Sequence, residues 1–272
     1  LVQAESMDTG KPISLAATVD VPRARDNFRF FAGAIRHQST GCHVMGTPRD
    51  GAINYTLRKP VGVAGLITPW NLPLYLLSWK VAPALAMGNT IVAKPSELTP
   101  TTATLLAEIL DDAGLPRGVF NLVHGTGPEV GQRLVEHPDV SLISFTGGTE
   151  TGRQVAATAA PLFKKLSLEL GGKNPTIVFD DADLEIAVDQ SLRAAFANQG
   201  EICLCGSRIL VQEGIYPQFE RALAQKAMEL VVGDPVCEKT QVGALISEEH
   251  LKKIESYVEL AKQEGGSVLA GG

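Results

Sequence analysis

Residues 89–127 read NTIVAKPSELTPTTATLLAEILDDAGLPRGVFNLVHGTG, and the order of residue types in that stretch decides the fold. Asn89–Lys94 is a short β-branched, apolar run with the composition of a strand covered on both faces. A helical stretch follows over Thr99–Ala113, with Thr99 placed to cap its first turn and Gly114-Leu115-Pro116 to stop it. A second apolar run, Val119–His124, then ends in a glycine-bearing turn. Strand, helix and strand in that order make a crossover unit, the connection that parallel strands require.

The same alternation extends to both sides. Val61–Ile67 precedes the stretch as a candidate strand, and Leu142–Phe145, Lys165–Glu169, Thr176–Phe179 and Arg208–Gln212 follow it. Leu74–Met87, Glu129–Glu136, Glu150–Ala159, Leu184–Asn198 and Pro217–Val231 read as helices between them. Asp180, Asp181 and Asp183 crowd the start of the Leu184 helix, where the positive end of its dipole favours carboxylates. The pattern predicts an α/β protein built on a doubly wound parallel sheet. Cys42–Lys59 interrupts it: Gly46, Pro48 and Gly51 lie between two short β-compatible runs, the signature of a protruding β-hairpin. A second division falls near Gly171-Gly172, after which a new run of strands and helices begins. Ser247–Gln263 is a charged amphipathic helix with Leu251, Ile254, Val258 and Leu260 or Ala261 as its expected buried stripe.

With 272 residues, 44% of them hydrophobic, the chain has material for a substantial core in one or two domains. Its net charge of -6 arises from 24 basic and 30 acidic residues that are well mixed, and no long basic block appears. Nucleic acid and anionic membrane surfaces are therefore not expected partners. No run approaches the roughly 18 apolar residues of a membrane helix. Four cysteines, Cys42, Cys203, Cys205 and Cys237, are too few for a disulfide scaffold and point to reduced thiols in a cytosol-like compartment. Cys203-x-Cys205 lacks zinc-site spacing and no histidine pair stands near it, so no metal is expected. The chain opens on Leu1 in a helix-like stretch and closes on Leu269–Gly272, a strand and turn. Both ends read as cut, which leaves open whether a targeting peptide precedes them.

Two glycine turns follow strands and open helices, the arrangement that cradles phosphate. Gly125-Thr126-Gly127-Pro128-Glu129-Val130-Gly131 has one residue too many for Gly-x-Gly-x-x-Gly, and Gly147-Gly148-Thr149-Glu150-Thr151-Gly152 is shifted the other way. Each alone is equally an ordinary strand-to-helix turn. Lys94-Pro95-Ser96-Glu97 is more telling. A carboxylate at a strand's carboxyl end accepts from ribose hydroxyls and repels a 2′-phosphate, and the lysine can donate to the same ribose, which favours NAD over NADP. A solvated turn with an exposed ion pair is the plainer alternative.

Gly200-Glu201-Ile202-Cys203 and Leu168-Glu169-Leu170-Gly171-Gly172-Lys173 supply a thiol and a carboxylate in glycine-flanked settings. A thiolate is a strong nucleophile near neutral pH, and a carboxylate can activate water to release a product. Plainer readings stand beside these. Cys203 could be a small packing residue, and Cys205 reads as one or as a bystander thiol. Asn71 could cap the helix that begins near Leu74. Glu169 inside an apolar strand would need a partner such as Lys173. Lys80 could be a surface charge.

Five motifs in order resemble those of the aldehyde dehydrogenase superfamily over essentially the whole chain: Thr68-Pro69-Trp70-Asn71-Leu72-Pro73, Lys94-Pro95-Ser96-Glu97, Phe145-Thr146-Gly147-Gly148 with Gly152, Leu168–Lys173, and Phe196–Cys203. The resemblance implies that Cys203 is the nucleophile, Glu169 the general base, Asn71 the oxyanion donor and Lys80 a supporting catalytic residue. It implies NAD as cofactor, held by Ile67, Trp70, Lys94, Ser96, Glu97, Gly127, Gly131, Phe145, Gly147, Gly148 and Leu170. It divides the chain into an NAD-binding domain over residues 1–41 and 60–171, an oligomerisation hairpin over 42–59 and the start of a catalytic domain over 172–272. The chain then corresponds to roughly the middle half of a member that oxidises a small-molecule aldehyde to an acid, as a cytoplasmic homodimer or homotetramer. Glu201 stands where many members carry glutamine; it and Gly200–Arg208 look most like the branch acting on muconate-type semialdehydes. Two alternatives remain: a coenzyme-A-acylating semialdehyde dehydrogenase, against which the retention of Glu169 argues, and an inert NAD-binding or oligomer-interaction module.

Overall fold

The computed structural model describes residues 1–47 and 49–272; Pro48, expected in the hairpin turn, lies outside the described residues. Nine strands are described: β1 (Cys42–Met45), β2 (Ala52–Tyr55), β3 (Val63–Ile67), β4 (Thr90–Lys94), β5 (Phe120–Leu122), β6 (Val140–Thr146), β7 (Lys165–Glu169), β8 (Pro175–Val178) and β9 (Arg208–Val211). Five of them form one parallel sheet in the order β5-β4-β3-β6-β7. The chain winds outward from β3 through β4 to β5, then crosses back to β6 and β7. The direction of winding therefore reverses between β3 and β6, the doubly wound arrangement in which a crevice opens beyond the strands' carboxyl ends.

Strand period two sorts the side chains of this sheet onto two faces. Ala64 and Leu66 of β3 join Ile91 and Ala93 of β4 in a core with Leu74, Leu77 and Val81 of the helix Pro73–Ala86. Ile67, Ile143 and Phe145 face the other way, against Leu134, Val135 and Val155. Register sets the carboxyl edge: Ile67 lies beside Lys94 on one side and Phe145 on the other, and Thr146 lies beside Glu169.

The remaining strands form two pairs. β1 and β2 are antiparallel and exposed along their whole length, as a protruding hairpin should be. β8 and β9 are parallel, with Val178, Val188 and Phe219 as the core between them and the helices Leu184–Phe196 and Tyr216–Met228. The N-terminal helices Val2–Thr9 and Val21–Ala34 pack beside the sheet's first helix, where Asn27 donates to the Ser78 hydroxyl at 2.9 Å.

Several local expectations are corrected. The helix begun near Thr99 spans Thr101–Asp112, and Thr99 is buried with its hydroxyl unpartnered. Asp8 does the capping instead, accepting from the Thr101 N–H and hydroxyl at 2.8 Å each. The expected helix Glu129–Glu136 splits into a wider turn, Gly127–Gly131, and a short helix, Gln132–Glu136. Only β3, β4 and β6 have neighbours on both sides within the larger sheet; β7 is an edge strand and largely exposed. Leu269–Gly272 forms no strand. The helix Glu248–Gln263, capped by Ser247, buries none of its expected stripe, and only Ile254 and Val258 are half-covered. Among the described residues no helix is long and apolar enough to cross a membrane.

Candidate active site

The loop Thr68–Leu72 leaves the carboxyl end of β3 and enters the helix Pro73–Ala86. Pro73 suits the first helical position because an N–H there would have no helical partner. The buried Glu5 carboxylate accepts from the next N–H, that of Leu74, at 3.3 and 3.4 Å. Asn71 therefore does not cap this helix. Its side-chain amide donates to the Glu201 carbonyl at 2.7 Å, and its Oδ1 is buried without a partner. Two turns into the helix, Lys80 is buried and donates to the Ser144 hydroxyl at 2.8 Å. Burial pushes the Lys80 amine down to about 8, against the opposing pull of Glu169.

The nucleophile candidate lies on a loop shaped by three successive left-handed residues, Asn198, Gln199 and Gly200. They end the run of the helix Leu184–Phe196, itself started by Asp183, whose carboxylate accepts from the Ile186 N–H. Cys203 is half-buried. Its carbonyl accepts from Asn174 Nδ2 at 2.7 Å and lies so close to Gly172 that an added Cβ would stand 3.1 Å from it. The glycine thus lets the Glu169-bearing segment approach the cysteine-bearing one. Cys203, Glu169, Lys80, Ser144 and Thr146 line one cavity of about 440 Å³. Glu169 is exposed at the end of β7, so it needs no buried counter-ion; Lys173 donates to the Gly172 carbonyl rather than to it. Cys205 is buried, and burial pushes its thiol up. Glu201 is buried as well. Its carboxylate accepts from the Ile246 N–H at 3.3 Å and lies 3.6 Å from His250 Nε2. Burial pushes it up to about 7, with the Ile246 N–H and the Lys11 cation pulling the other way.

The residues implied for the cofactor divide between several places. Ile67, Lys94 and Phe145 are in register and lie on the sheet face opposite the thiol cavity. Lys94 donates to the Pro95 carbonyl at 2.9 Å and to Glu97 Oε2 at 3.1 Å, and a Cβ added at Gly131 would stand 3.7 Å from the Lys94 side-chain stem. Burial works to raise Glu97, but hydrogen bonds from its own N–H and from Lys94 outweigh it and hold the carboxyl below its ordinary range. Beside Glu97 an open cavity of about 430 Å³ is lined by Pro100, Thr104, His124 and Gly125. An ionised acceptor at such a cavity, with a buried ammonium bonded to it from behind, fits a ribose. Ser96 is turned inward, its hydroxyl accepting from the Leu98 N–H at 3.2 Å. Gly147 donates its N–H to the Glu169 carbonyl at 3.0 Å, and an added Cβ would meet the Phe145 ring at 2.5 Å. Gly148 precedes the helix Thr149–Ala159, whose Gly152 gives room to Leu170. Gly127 opens the turn after β5 that ends at Gly131. Trp70 packs edge-on against His250, with ring centroids 5.1 Å apart.

Sequence reasoning missed Ser144, the buried Glu5 and Asn198. Only Asn198 left a signal, as an Asn-Gln-Gly run at the end of a helix, which is turn chemistry. Among the described residues no group of three or more His, Cys, Asp or Glu side chains could hold a metal.

A sequence model of the aldehyde dehydrogenase family matches residues 1–272. The chain is 54% identical over 270 residues to 2-aminomuconic semialdehyde dehydrogenase of Danio rerio, covering 99% of this chain and 55% of that protein. It is 49% identical to 2-hydroxymuconic semialdehyde dehydrogenase of Pseudomonas sp. (strain CF600), covering 100% of this chain and 56% of that one. A crystal structure of PnpE in complex with nicotinamide adenine dinucleotide superposes with a TM-score of 0.95 at 43% identity, over 100% of this chain and 55% of PnpE. The chain spans about half the length of the curated relatives it matches.

Proposed function

The chain belongs to the aldehyde dehydrogenase family, and from that premise we propose that the protein carrying it oxidises an aldehyde to a carboxylic acid with NAD. The observation that carries the reading is the single cavity shared by Cys203, Glu169 and Lys80, with the Asn71 amide bound to the main chain two residues before the thiol. Attack of the Cys203 thiolate on the aldehyde carbon creates an oxyanion. Asn71 Nδ2 uses one N–H on the Glu201 carbonyl, which leaves the second for that oxyanion beside the Cys203 main-chain N–H. One such donor is worth roughly 3–4 kcal/mol in a typical oxyanion hole. Lys94 and Glu97 would hold the dinucleotide by its ribose, and NAD supplies the hydride acceptor that lets the cysteine adduct become a thioester. Glu169, exposed to solvent at the cavity's edge, then takes a proton from water and the acid leaves. Lys80 would keep a neutral amine available near the reacting groups at mildly alkaline pH.

The substrate is proposed to be a muconate-type semialdehyde. Similarity to the 2-aminomuconic and 2-hydroxymuconic semialdehyde dehydrogenases supports this, together with Glu201 in place of glutamine. Residues 1–41 and 60–171 would form the NAD-binding domain and 172–272 the start of the catalytic domain. The exposed hairpin, residues 42–59, would join protomers. The test is NADH formation by the intact protein with 2-hydroxymuconic semialdehyde, an aliphatic and an aromatic aldehyde, with and without coenzyme A. Acid formed without coenzyme A, fastest from the muconate-type aldehyde and lost in Cys203→Ala, is expected. Acyl-coenzyme A as the product, or turnover retained by Cys203→Ala, would overturn the mechanism.

A further inference from the structure

The left-handed turn before the nucleophile holds an asparagine that the chemistry above does not use. Asn198 has φ 52 and ψ 44 and is 2% exposed. Asparagine tolerates this conformation better than most residues, so tolerance alone could explain its presence. Its side chain does more. Asn198 Nδ2 donates to the Asn71 carbonyl at 3.1 Å and to the Glu201 carbonyl at 3.3 Å, joining loops that lie 127 residues apart. The Asn198 carbonyl accepts from the Glu201 N–H at 2.9 Å, which closes the turn on itself. The Glu201 carbonyl accepts a second amide, from Asn71, at 2.7 Å. One main-chain oxygen therefore holds both asparagines, and Asn198 also grips the backbone of Asn71. The turn is braced from behind as well, by Gln199 donating to the Ala244 carbonyl at 3.1 Å and by the Glu201 carboxylate on the Ile246 N–H. Asn198 Oδ1 is buried without a partner, so the amide has one productive orientation: turned over, it would set an oxygen against two carbonyls.

We infer that Asn198 is a positioning residue: its amide clamps the Asn71 backbone to the nucleophile loop and so sets the Asn71 donor relative to Cys203. This rests on the proposed reading of Asn71 as oxyanion donor. Misplacing a catalytic group by about 1 Å costs on the order of 100-fold in rate. Asn198→Gly keeps the left-handed backbone available while removing both hydrogen bonds, which separates the clamp from the turn.

The experiment uses the intact protein with NAD and 2-hydroxymuconic semialdehyde, and compares wild type, Asn198→Gly, Asn71→Ala and the double variant. Asn198→Gly is expected to lower kcat by roughly 10- to 100-fold with the KM for NAD little changed. In the Asn71→Ala background the same substitution should add less than about threefold, because the group it positions is gone. Asn198→Asp, similar in size but with no amide donor, should match Asn198→Gly and stands in for it should the glycine variant not fold. Wild-type kcat in Asn198→Gly, or an undiminished loss in the Asn71→Ala background, would overturn the inference. Asn71→Ala with wild-type kcat would sink the oxyanion reading itself, and this inference with it, a result visible from the single variant alone.

Discussion

The Glu201 carbonyl, the Lys80 amine and the Glu169 carboxylate show how differently three polar groups can be placed around one thiol. The first is bonded to two side-chain amides, the second is buried against Ser144, and the third faces solvent. Exposure suits a base that must meet a water, and Glu169→Gln should therefore allow a single burst of NADH while blocking steady turnover. Rapid-mixing absorbance would show it, and steady turnover without a burst would remove Glu169 as the base. Burial gives Lys80 a different property. Its amine should become acylated by an amine reagent with a midpoint near pH 8, followed by peptide mass spectrometry. A midpoint near the 10.5 of an ordinary lysine would show that the site is wetter than its packing implies.

At the scale of elements, helix starts separate what sequence could tell from what it could not. Asp183 and Ser247 cap the helices that follow them, each accepting from the N–H three residues on, and both were readable as local signals. The Thr101–Asp112 helix also had a local candidate, Thr99, yet its cap comes from Asp8 on another helix. The Pro73–Ala86 helix likewise draws on Glu5. Caps lent across the fold leave no trace in the neighbouring sequence, because nothing at Thr99 or Asn71 says that a distant carboxylate arrives first. Asp8→Ala should cost about 1 kcal/mol of stability, and Thr99→Val close to nothing, since the valine removes a buried hydroxyl that has no partner. Denaturant melts would separate the two, and the reverse ranking would restore Thr99 as the cap. The existence of the central strands was legible for a related reason: β3, β4 and β6 are covered on both faces, so their apolar runs are nearly continuous, whereas their order and register were set by tertiary packing. The edge strand β7 had an apolar pattern but little cover, and there the pattern overstated burial.

Across the whole molecule, the same borrowed groups make stability depend on pH. Burial pushes Glu5 from 4.5 up to about 7, although Lys11 lies 3.8 Å away and pulls it down. Between those two values the native state holds a proton that the unfolded chain has released. Stability therefore falls as pH rises through that window and levels off above it. Melting temperatures measured from pH 5 to 8 should decline in wild type and less steeply in Glu5→Gln, which keeps an acceptor for the Leu74 N–H. Parallel curves would mean that Glu5 stays ionised in the fold. The hairpin offers a second whole-molecule test. Val44 and Ile53 face each other across β1 and β2 and are 78% and 68% exposed. Replacing both with glutamate should reduce the size of the assembly in sedimentation without moving the melting transition, and an unchanged assembly would take the hairpin out of the interface.

The hydrogen bond from Asn71 to Glu201 joins residues 130 positions apart, and the brace behind it reaches on to Ile246. Links of such long range close late in folding, after the local helices and the crossover units have formed. During synthesis the thiol therefore emerges from the ribosome before the Ala244 and Ile246 groups that brace its loop. Time, as well as space, keeps the thiol apart from its surroundings: a chain made only as far as Cys203 carries Asn71 and the thiol, yet lacks the Ala244 and Ile246 groups that brace the loop between them.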